Sequence, residues 1–374
     1  LISFGWDWLA AHPSHVEAQR AFARLRRRGG ERAHIIQVEP RFSLSAAKAD
    51  SWLPIRPGTQ GLLALAAARE IISKGRQDSA FLRERSLAFA EFAKALEPFS
   101  IPRVSKAAGI PERSIRLLCV KLTNTKPALA ITGRGPLFDQ LAVHALNAVL
   151  GGLGEKGLFS SWREETGQAG AQGTPRAPAK MLLVDRANPL FTAPAAWKPV
   201  FENTPLVVTV SPFLTETAEY SDWVLPCGTP LERPHCSLHR MMDGRSILNA
   251  APRAVEPAAD AKDPGEIFLL IAKTLGLQGF GAAGFDSLFK AEAAKLGGEE
   301  LLKEDGGIRW REMPRAAGRG LSFATPSGRF DFSPLTKLME EPELRLRVET
   351  DGKYPLSLNI FTPLPFSRGE GSQA

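Results

Sequence analysis

Cysteine is scarce in this chain. The three cysteines, Cys119, Cys227 and Cys236, form no C-x-x-C pair, which excludes a disulfide framework and a recognisable iron–sulfur or zinc quartet. Long hydrophobic runs are missing too. No stretch reaches the roughly 18 apolar residues that a membrane-spanning helix needs. There is no P-loop, no G-x-S-x-G elbow and no Ser/His/Asp context, so the commonest nucleotidase and hydrolase readings fall away. One apparent fingerprint is a decoy. Gly152-Leu153-Gly154-Glu155-Lys156-Gly157 matches G-x-G-x-x-G, but it closes a helix, whereas a dinucleotide fingerprint follows a strand and opens one.

What is present is ample for folding. With 374 residues, 44% of them hydrophobic, the chain can build two or three domains with real cores. Its net charge of +7 suits nucleic acid, a membrane surface or a phosphate-bearing cofactor, and does not choose among them.

The chain nearly repeats itself. Val38 to Pro54 reads VEPRFSLSAAKADSWLP and Val210 to Pro226 reads VSPFLTETAEYSDWVLP. The windows align without a gap and share Val38/Val210, Pro40/Pro212, Ala46/Ala218, Asp50/Asp222, Leu53/Leu225 and Pro54/Pro226. Ser43/Thr215 and Ser45/Thr217 are near matches. Each window is preceded by an apolar β-branched run, AHIIQV or PLVVTV. The repeated unit reads as strand, polar turn, short helix and short strand, which predicts two similar ligand sites or one ligand pair gripped from both sides.

Strands at LISFG, AHIIQV and 52–55 alternate with helices at 15–28 and 60–73. That alternation predicts a doubly wound parallel sheet. Residues 80–125 read as a helical insert, PALAIT as a strand, and Phe138 to Leu150 as a helix. A Gly/Ala/Gln/Pro-rich linker at 161–179 separates this first domain, 1–160, from a second α/β domain at 180–335. The second opens at KMLLVD, contains the strand PLVVTV and a helix from Pro264 to Leu275, and includes a poorly patterned region at 278–320. ATPSGRFDF reads as a Gly-turned hairpin. Residues 336–374 read as the start of a further, truncated domain. Leu1 falls inside a strand and the last residues run on from an extended segment, so the chain reads as an internal piece of a longer polypeptide.

Ligands of doubly wound sheets sit at the carboxyl ends of strands, over helix N-termini. Glu39-Pro40-Arg41, directly after AHIIQV, is well placed: the acid can accept hydrogen bonds from a ribose or a guanine edge, and Arg41 can pair with phosphate. The bland alternative is a surface turn. In the second copy Ser211 and Phe213 replace the charged pair. Thr59 can cap the helix that follows, and Gly58 lets a ligand approach the backbone. His235-Cys236-Ser237-Leu238-His239 carries soft ligand atoms without the spacing of a zinc knuckle, and reads as a pocket-lining loop. Residues 104–122 resemble a helix-turn-helix; two packed helices inside a larger α/β protein is the alternative.

Taken in order, these segments resemble the molybdopterin oxidoreductases of the dimethyl sulfoxide reductase type. FGWDWLAAHPSH is similar to that family's FG-x-NP-x-x-x-HP turn, and VEPRFSLSAAKADSWLPIRPGTQGLLALAAA to its DPR…AD-x-x-LPIRPGTD stretch. MLLVDRANPL is similar to its G-x-NP strand end, VVTVSPFLTETAEYSDWVLP to its DPF-x-TETA-x-x-AD-x-VLP stretch, and FATPSGRFDF to its TPSGK-x-EF.

The resemblance implies two Rossmann-like domains, the start of a C-terminal β-barrel domain, and two molybdopterin guanine dinucleotides with molybdenum. It places Gly5, Glu39, Pro40, Arg41, Gly58, Gln60 and Gly133 at one dinucleotide, and Asn188, Pro189, Pro212, Thr215 and Asp263 at the other. It implies two-electron redox or oxygen-atom transfer, with electrons passed through an iron–sulfur subunit to or from a quinone-interacting membrane subunit. It implies a peripheral place on the periplasmic side of the inner membrane, with a cytoplasmic location the alternative. The nearest members belong to quinone-linked complexes such as polysulfide or thiosulfate reductase, menaquinone reductase and alternative complex III, some of which hold no molybdenum. A cofactor-free structural subunit is therefore the alternative, with DNA binding through 104–122 a distant one. Gln60 replaces a common Asp, and the stretch carrying the family's metal ligand and iron–sulfur cluster lies upstream of Leu1, so no catalytic or metal-ligating residue is expected within this chain.

Overall fold

The computed structural model describes residues 1–12, 15–27, 32–133, 135–153, 179–240, 246–277, 284–303, 309–313, 323 and 325–341. The chain is mixed α/β with parallel sheets and divides into two compact units, one drawn from Leu1–Glu165 and Ala317–Pro365, the other from Thr166–Ala316 and Phe366–Ala374.

In the first unit, β1 (Ile2–Phe4), α1 (Trp8–Ala11), α2 (His15–Leu25), β2 (Ile36–Val38), α3 (Leu44–Lys48), β3 (Ser51–Leu53) and α4 (Gln60–Ser73) follow in turn. A run of short elements comes next: α5 (Ser79–Arg85), β4 (Ser86–Leu87), α6 (Phe89–Ala95), α7 (Ile101–Ala108) and α8 (Glu112–Asn124). Then β5 (Ala130–Thr132) and α9 (Leu137–Leu150) complete the sheet and its cover. The sheet order is β3-β2-β1-β5, all parallel. All three residues of β1 are buried, including Ser3, as expected of a central strand covered on both faces.

The core grows around α4. Nine of its residues are buried, from Gly61 to Ile71, and it packs against α9, α7 and α8, so its sequence is apolar on nearly every side. The α4–α9 approach is close at Gly61: an added Cβ would stand 2.5 Å from Asp139 Oδ1, and the Gly61 amide donates to that oxygen at 2.9 Å. Asn147 on α9 binds the edge of β5 through both its amide groups, accepting from Ala130 N at 2.8 Å and donating to Ala130 O at 2.7 Å.

The second unit begins with β6 (Leu182–Asp185), α10 (Pro189–Thr192), α11 (Pro194–Glu202), β7 (Val207–Ser211), α12 (Glu216–Glu219) and β8 (Trp223–Pro226). Its parallel sheet has the order β6-β7-β8. β9 (His235–Arg240), β10 (Ser246–Ala251), α13 (Pro264–Thr274), α14 (Phe285–Lys295), α15 (Glu299–Lys303) and β11 (Arg309–Met313) follow, with an antiparallel sheet ordered β11-β10-β9. β12 (Phe330–Asp331) and α16 (Ser333–Leu338) come last in the chain and return to the first unit.

Three expectations change. The His235–His239 segment is not a loop but strand β9, paired along its length with β10, because its side chains alternate on a ladder that fixes their directions. Gly328 turns the ATPSGRFDF segment at φ +66°, yet β12 pairs parallel with β4 instead of closing a hairpin. Residues 323 and 325–335, read from sequence as part of the second domain, pack in the first unit. There Phe332 stacks on Phe92 with ring centroids 4.5 Å apart, and Leu335 and Met339 are buried in the same core. The helical 80–125 segment is as expected apart from β4. The linker at 161–178 and the expected barrel start from 342 onward lie outside the described residues.

Helices α7 and α8 bury Val104, Ala107, Ala108, Ile115, Leu118 and Leu122 in the first core, around a left-handed turn at Gly109. This is the packing of two structural helices within an α/β unit.

Candidate functional site

The repeat is a repeat of hydrogen bonds. In the first unit the Ser43 hydroxyl caps α3 by accepting from Ala46 N at 3.1 Å; in the second, Thr215 caps α12 by accepting from Ala218 N at 3.3 Å. Asp50 Oδ2 accepts from Ile35 N at 2.8 Å and Asp222 Oδ2 accepts from Val207 N at 2.7 Å, so each aspartate closes its unit back onto the start of the preceding strand. Ser45 and Thr217 each accept an amide, from Leu9 at 3.0 Å and from Leu190 at 3.2 Å. Their own hydroxyls donate to Asp7 Oδ1 at 2.7 Å and to Asn188 Oδ1 at 2.8 Å.

Asp7 is therefore the structural counterpart of Asn188, and Gly5 that of Arg186. The amides of Gly5 and Arg186 donate to Val38 O at 2.8 Å and Val210 O at 2.9 Å, and both residues are left-handed, at φ +66° and +45°. Sequence reasoning missed this extension because the spacing changes: Val38 and Val210 are 172 positions apart, Leu9 and Leu190 are 181. A search allowing nine residues fewer between strands in the second copy would have found it.

The sequence-predicted residues of the first unit come together where the sheet order reverses, between β1 and β5. This is where open α/β sheets bind ligands. Gly5 follows β1, Glu39-Pro40-Arg41 follows β2, Gly133 follows β5, and Gln60 begins α4. Gly5 leaves room for Gln60: an added Cβ would lie 3.1 Å from its Nε2. At Gly133 an added Cβ would lie 2.6 Å from Trp6 Cδ1, so only glycine admits that indole. Gly58 sits in a left-handed turn before α4 with its Cβ direction open. The Gln60 Oε1 is buried and has no hydrogen-bond partner among the described residues. A buried acceptor of this kind can take a donor from an ordered water or from a ligand.

Glu39 is buried, accepts a short hydrogen bond from Ser43, and has its backbone carbonyl held by Trp52 Nε1 at 3.1 Å. Burial pushes its carboxyl pKa up, against the Ser43 hydrogen bond that lowers it and with the Asp7 charge that raises it further. Arg41 Nη2 donates to Asp7 Oδ2 at 3.1 Å. The first unit thus offers an exposed glycine backbone, a buried carboxyl, a guanidinium and an unfilled amide oxygen. That set fits a guanine dinucleotide, whose base, sugar and phosphates need those acceptors and that charge.

The second unit places Asn188, Pro189, Pro212 and Thr215 at the matching ends of β6 and β7, with Asp263 capping α13 by accepting from Gly265 N at 2.7 Å. Here the set fits poorly. Asn188 is spent on Thr217 and on Glu216, to which its Nδ2 donates at 2.6 Å. Ser211, in the place of Glu39, donates to Phe213 O at 2.7 Å. Phe213, in the place of Arg41, is exposed and apolar. Arg186, in the place of Gly5, donates to the Asp185 carboxylate through two hydrogen bonds of 2.9 and 3.0 Å, and this donation raises its pKa. Among the described residues, no group of three or more His, Cys, Asp or Glu could hold a metal ion, and no helix is long and apolar enough to cross a membrane.

No family model matches the chain. It is 29% identical over 379 residues to the menaquinone reductase molybdopterin-binding-like subunit of Nitratidesulfovibrio vulgaris, a match covering 90% of this chain and 53% of the relative. It is 27% identical over 386 residues to the probable oxidoreductase YyaE of Bacillus subtilis, covering 88% and 56%. Among solved structures, acetylene hydratase from Pelobacter acetylenicus shares the fold, with a TM-score of 0.67, 19% identity, and coverage of 92% of this chain and 56% of that one. The chain spans about half the length of the relatives it matches. Further relatives include the thiosulfate reductase molybdopterin-containing subunit PhsA of Salmonella typhimurium and biotin sulfoxide reductase of Cereibacter sphaeroides. These relatives are molybdopterin oxidoreductases, the family that the sequence motifs also resemble.

Proposed function

We propose that this chain is the cofactor-binding α/β portion of a molybdopterin-dependent oxidoreductase subunit that carries out two-electron redox or oxygen-atom transfer. The observation that carries this reading is the first unit's strand-end set: left-handed Gly5, buried Glu39, Arg41 and the unfilled Gln60 oxygen. Glu39 would accept from a guanine edge or a ribose, Arg41 would pair with phosphate, and the Gly5 and Gly58 backbones would let the dinucleotide approach. When bound, a molybdenum–pterin group supplies the redox chemistry. The chain's own residues bind it, orient it and set the charge around it. The resemblance adds a bis-guanine-dinucleotide centre in two Rossmann-like domains capped by a barrel. It also adds an iron–sulfur partner, a quinone-interacting membrane subunit and a periplasmic location.

A second reading, a structural subunit that keeps the fold without the cofactor, is supported by the poor donor set of the second unit and by the molybdopterin-binding-like relative. Molybdenum and released guanine nucleotide measured on the intact subunit separate the two. Both present supports the enzyme, with Glu39→Ala expected to weaken nucleotide retention about tenfold through the lost charged hydrogen bond. A folded protein with neither is the structural subunit.

A further inference from the structure

The two units share their backbone wiring, so the differences at the strand ends can be compared position by position. Where the first unit has Phe4 and Gly5, the second has Asp185 and Arg186. Gly5 leaves its left-handed backbone bare, next to Gln60. Arg186 adopts the same left-handed turn with a full side chain, a conformation non-glycine residues rarely take. Strained residues persist where the surroundings hold them, and here the Arg186 amide is held by Val210 O at 2.9 Å. Arg186 Nε and Nη2 donate to the two Asp185 carboxylate oxygens at 2.9 and 3.0 Å.

That fork is the edge of the guanidinium that matches a phosphate. Arg186 is paired with Asp185 as Arg41 is with Asp7, so the pairing itself does not separate the units. What separates them is that the Asp185–Arg186 side chains fill the place that Phe4 and bare Gly5 leave open. The acceptor and the cation that serve the first unit, Glu39 and Arg41, are Ser211 and Phe213 in the second. The Ser211 hydroxyl is turned inward to Phe213 O.

We infer that the two repeats are unequal by design of their strand ends: the first takes a guanine nucleotide, and in the second the Asp185–Arg186 pair occupies the place of the bare glycine and excludes one. This rests on the nucleotide-binding reading of the first unit.

Two measurements on the intact subunit test it. Guanine nucleotide released from the purified protein is expected at one per chain; two per chain overturns the inference. Hydrogen exchange is then followed with and without added GDP on protein freed of nucleotide. GDP is expected to slow exchange at residues 5–7 and 39–41 and to leave 186–188 unchanged. In the Arg186→Gly variant it is expected to slow exchange at 186–188 as well. Protection of 186–188 in the natural protein, or none there in Arg186→Gly, overturns the part given to Arg186. Protection of the first unit alone, in a protein that released no nucleotide or molybdenum, keeps the inequality and sinks the enzyme reading. Protection of neither unit overturns both.

Discussion

At Ile35 and at Val207 the same event occurs twice. A strand's first amide donates to an aspartate fifteen residues downstream, a hydroxyl caps the short helix between them, and a second hydroxyl ties that helix to the preceding strand end. The residues that hold the scaffold by hydrogen bonds are nearly interchangeable between the two units, whereas the strand-end residues are not: Glu39, Arg41 and Gly5 correspond to Ser211, Phe213 and Arg186. The lesson is that the shared Ser/Thr and Asp residues hold the scaffold, and the residues that differ set the charge and shape of each strand end.

The comparison is broken most forcefully at the aspartates. Asp50→Ala is expected to cost about 2 kcal/mol and Asp222→Ala about 1 kcal/mol, each by leaving a strand amide without its acceptor. The first cost is larger because Asp50 also receives Arg26 at 2.7 Å. Urea unfolding that follows each unit separately checks this, and equal costs would contradict the added weight of Arg26. A smaller contrast comes from the left-handed pair. Gly5→Ala is expected to cost about 1–2 kcal/mol from its backbone conformation alone. Arg186→Gly is expected to stay within about 1 kcal/mol of the natural protein, because relief of the left-handed backbone offsets a partly exposed ion pair. A large loss in Arg186→Gly would show the pair to be a stabilising element.

The smallest effect is a pH dependence of the first unit. Glu39 has a raised carboxyl pKa in the folded state, chiefly from burial, so the folded protein binds its proton more tightly than the unfolded chain. The first unit should therefore lose stability as pH rises from about 4, the ordinary glutamate range, through the raised value. Asp50 acts in the opposite sense. Burial pushes its pKa up, but hydrogen bonds from Arg26 and the Ile35 amide outweigh this and hold it down, so its contribution is lost only as pH falls below the ordinary aspartate range. Glu39→Gln should flatten the first slope and leave the second, in unfolding midpoints taken at stepped pH. Unchanged slopes would place the Glu39 carboxyl in effective contact with water.

Much of this was legible in the residues. The gapless match of 38–54 with 210–226 located both units, and the apolar run 60–73 marked α4 to its ends. The Asp7/Asn188 match was hidden by the shortened second crossover, and the His235–His239 segment lacked an apolar alternation strong enough to announce a strand. The positions of Glu39 and Arg41 at a strand end and of Gln60 at a helix start were legible, since such ends can be read locally. Their state was not: the burial of Glu39, the hold of Asp7 on Arg41 and the orphaned Gln60 oxygen depend on residues distant in sequence.

The sequence by itself determined the alternation of strands and helices, the repeat, and the substitution of Ser211 and Phe213 for Glu39 and Arg41, because these follow from local spacing and residue type. Only the tertiary structure decided that Arg186 occupies the place of Gly5, that the shared hydroxyls and aspartates serve as internal clamps, and that residues 325–341 complete the first core. Those outcomes depend on which distant amides and aromatic rings meet, and hydrogen bonds and packing between such residues form only when the whole chain has closed around them.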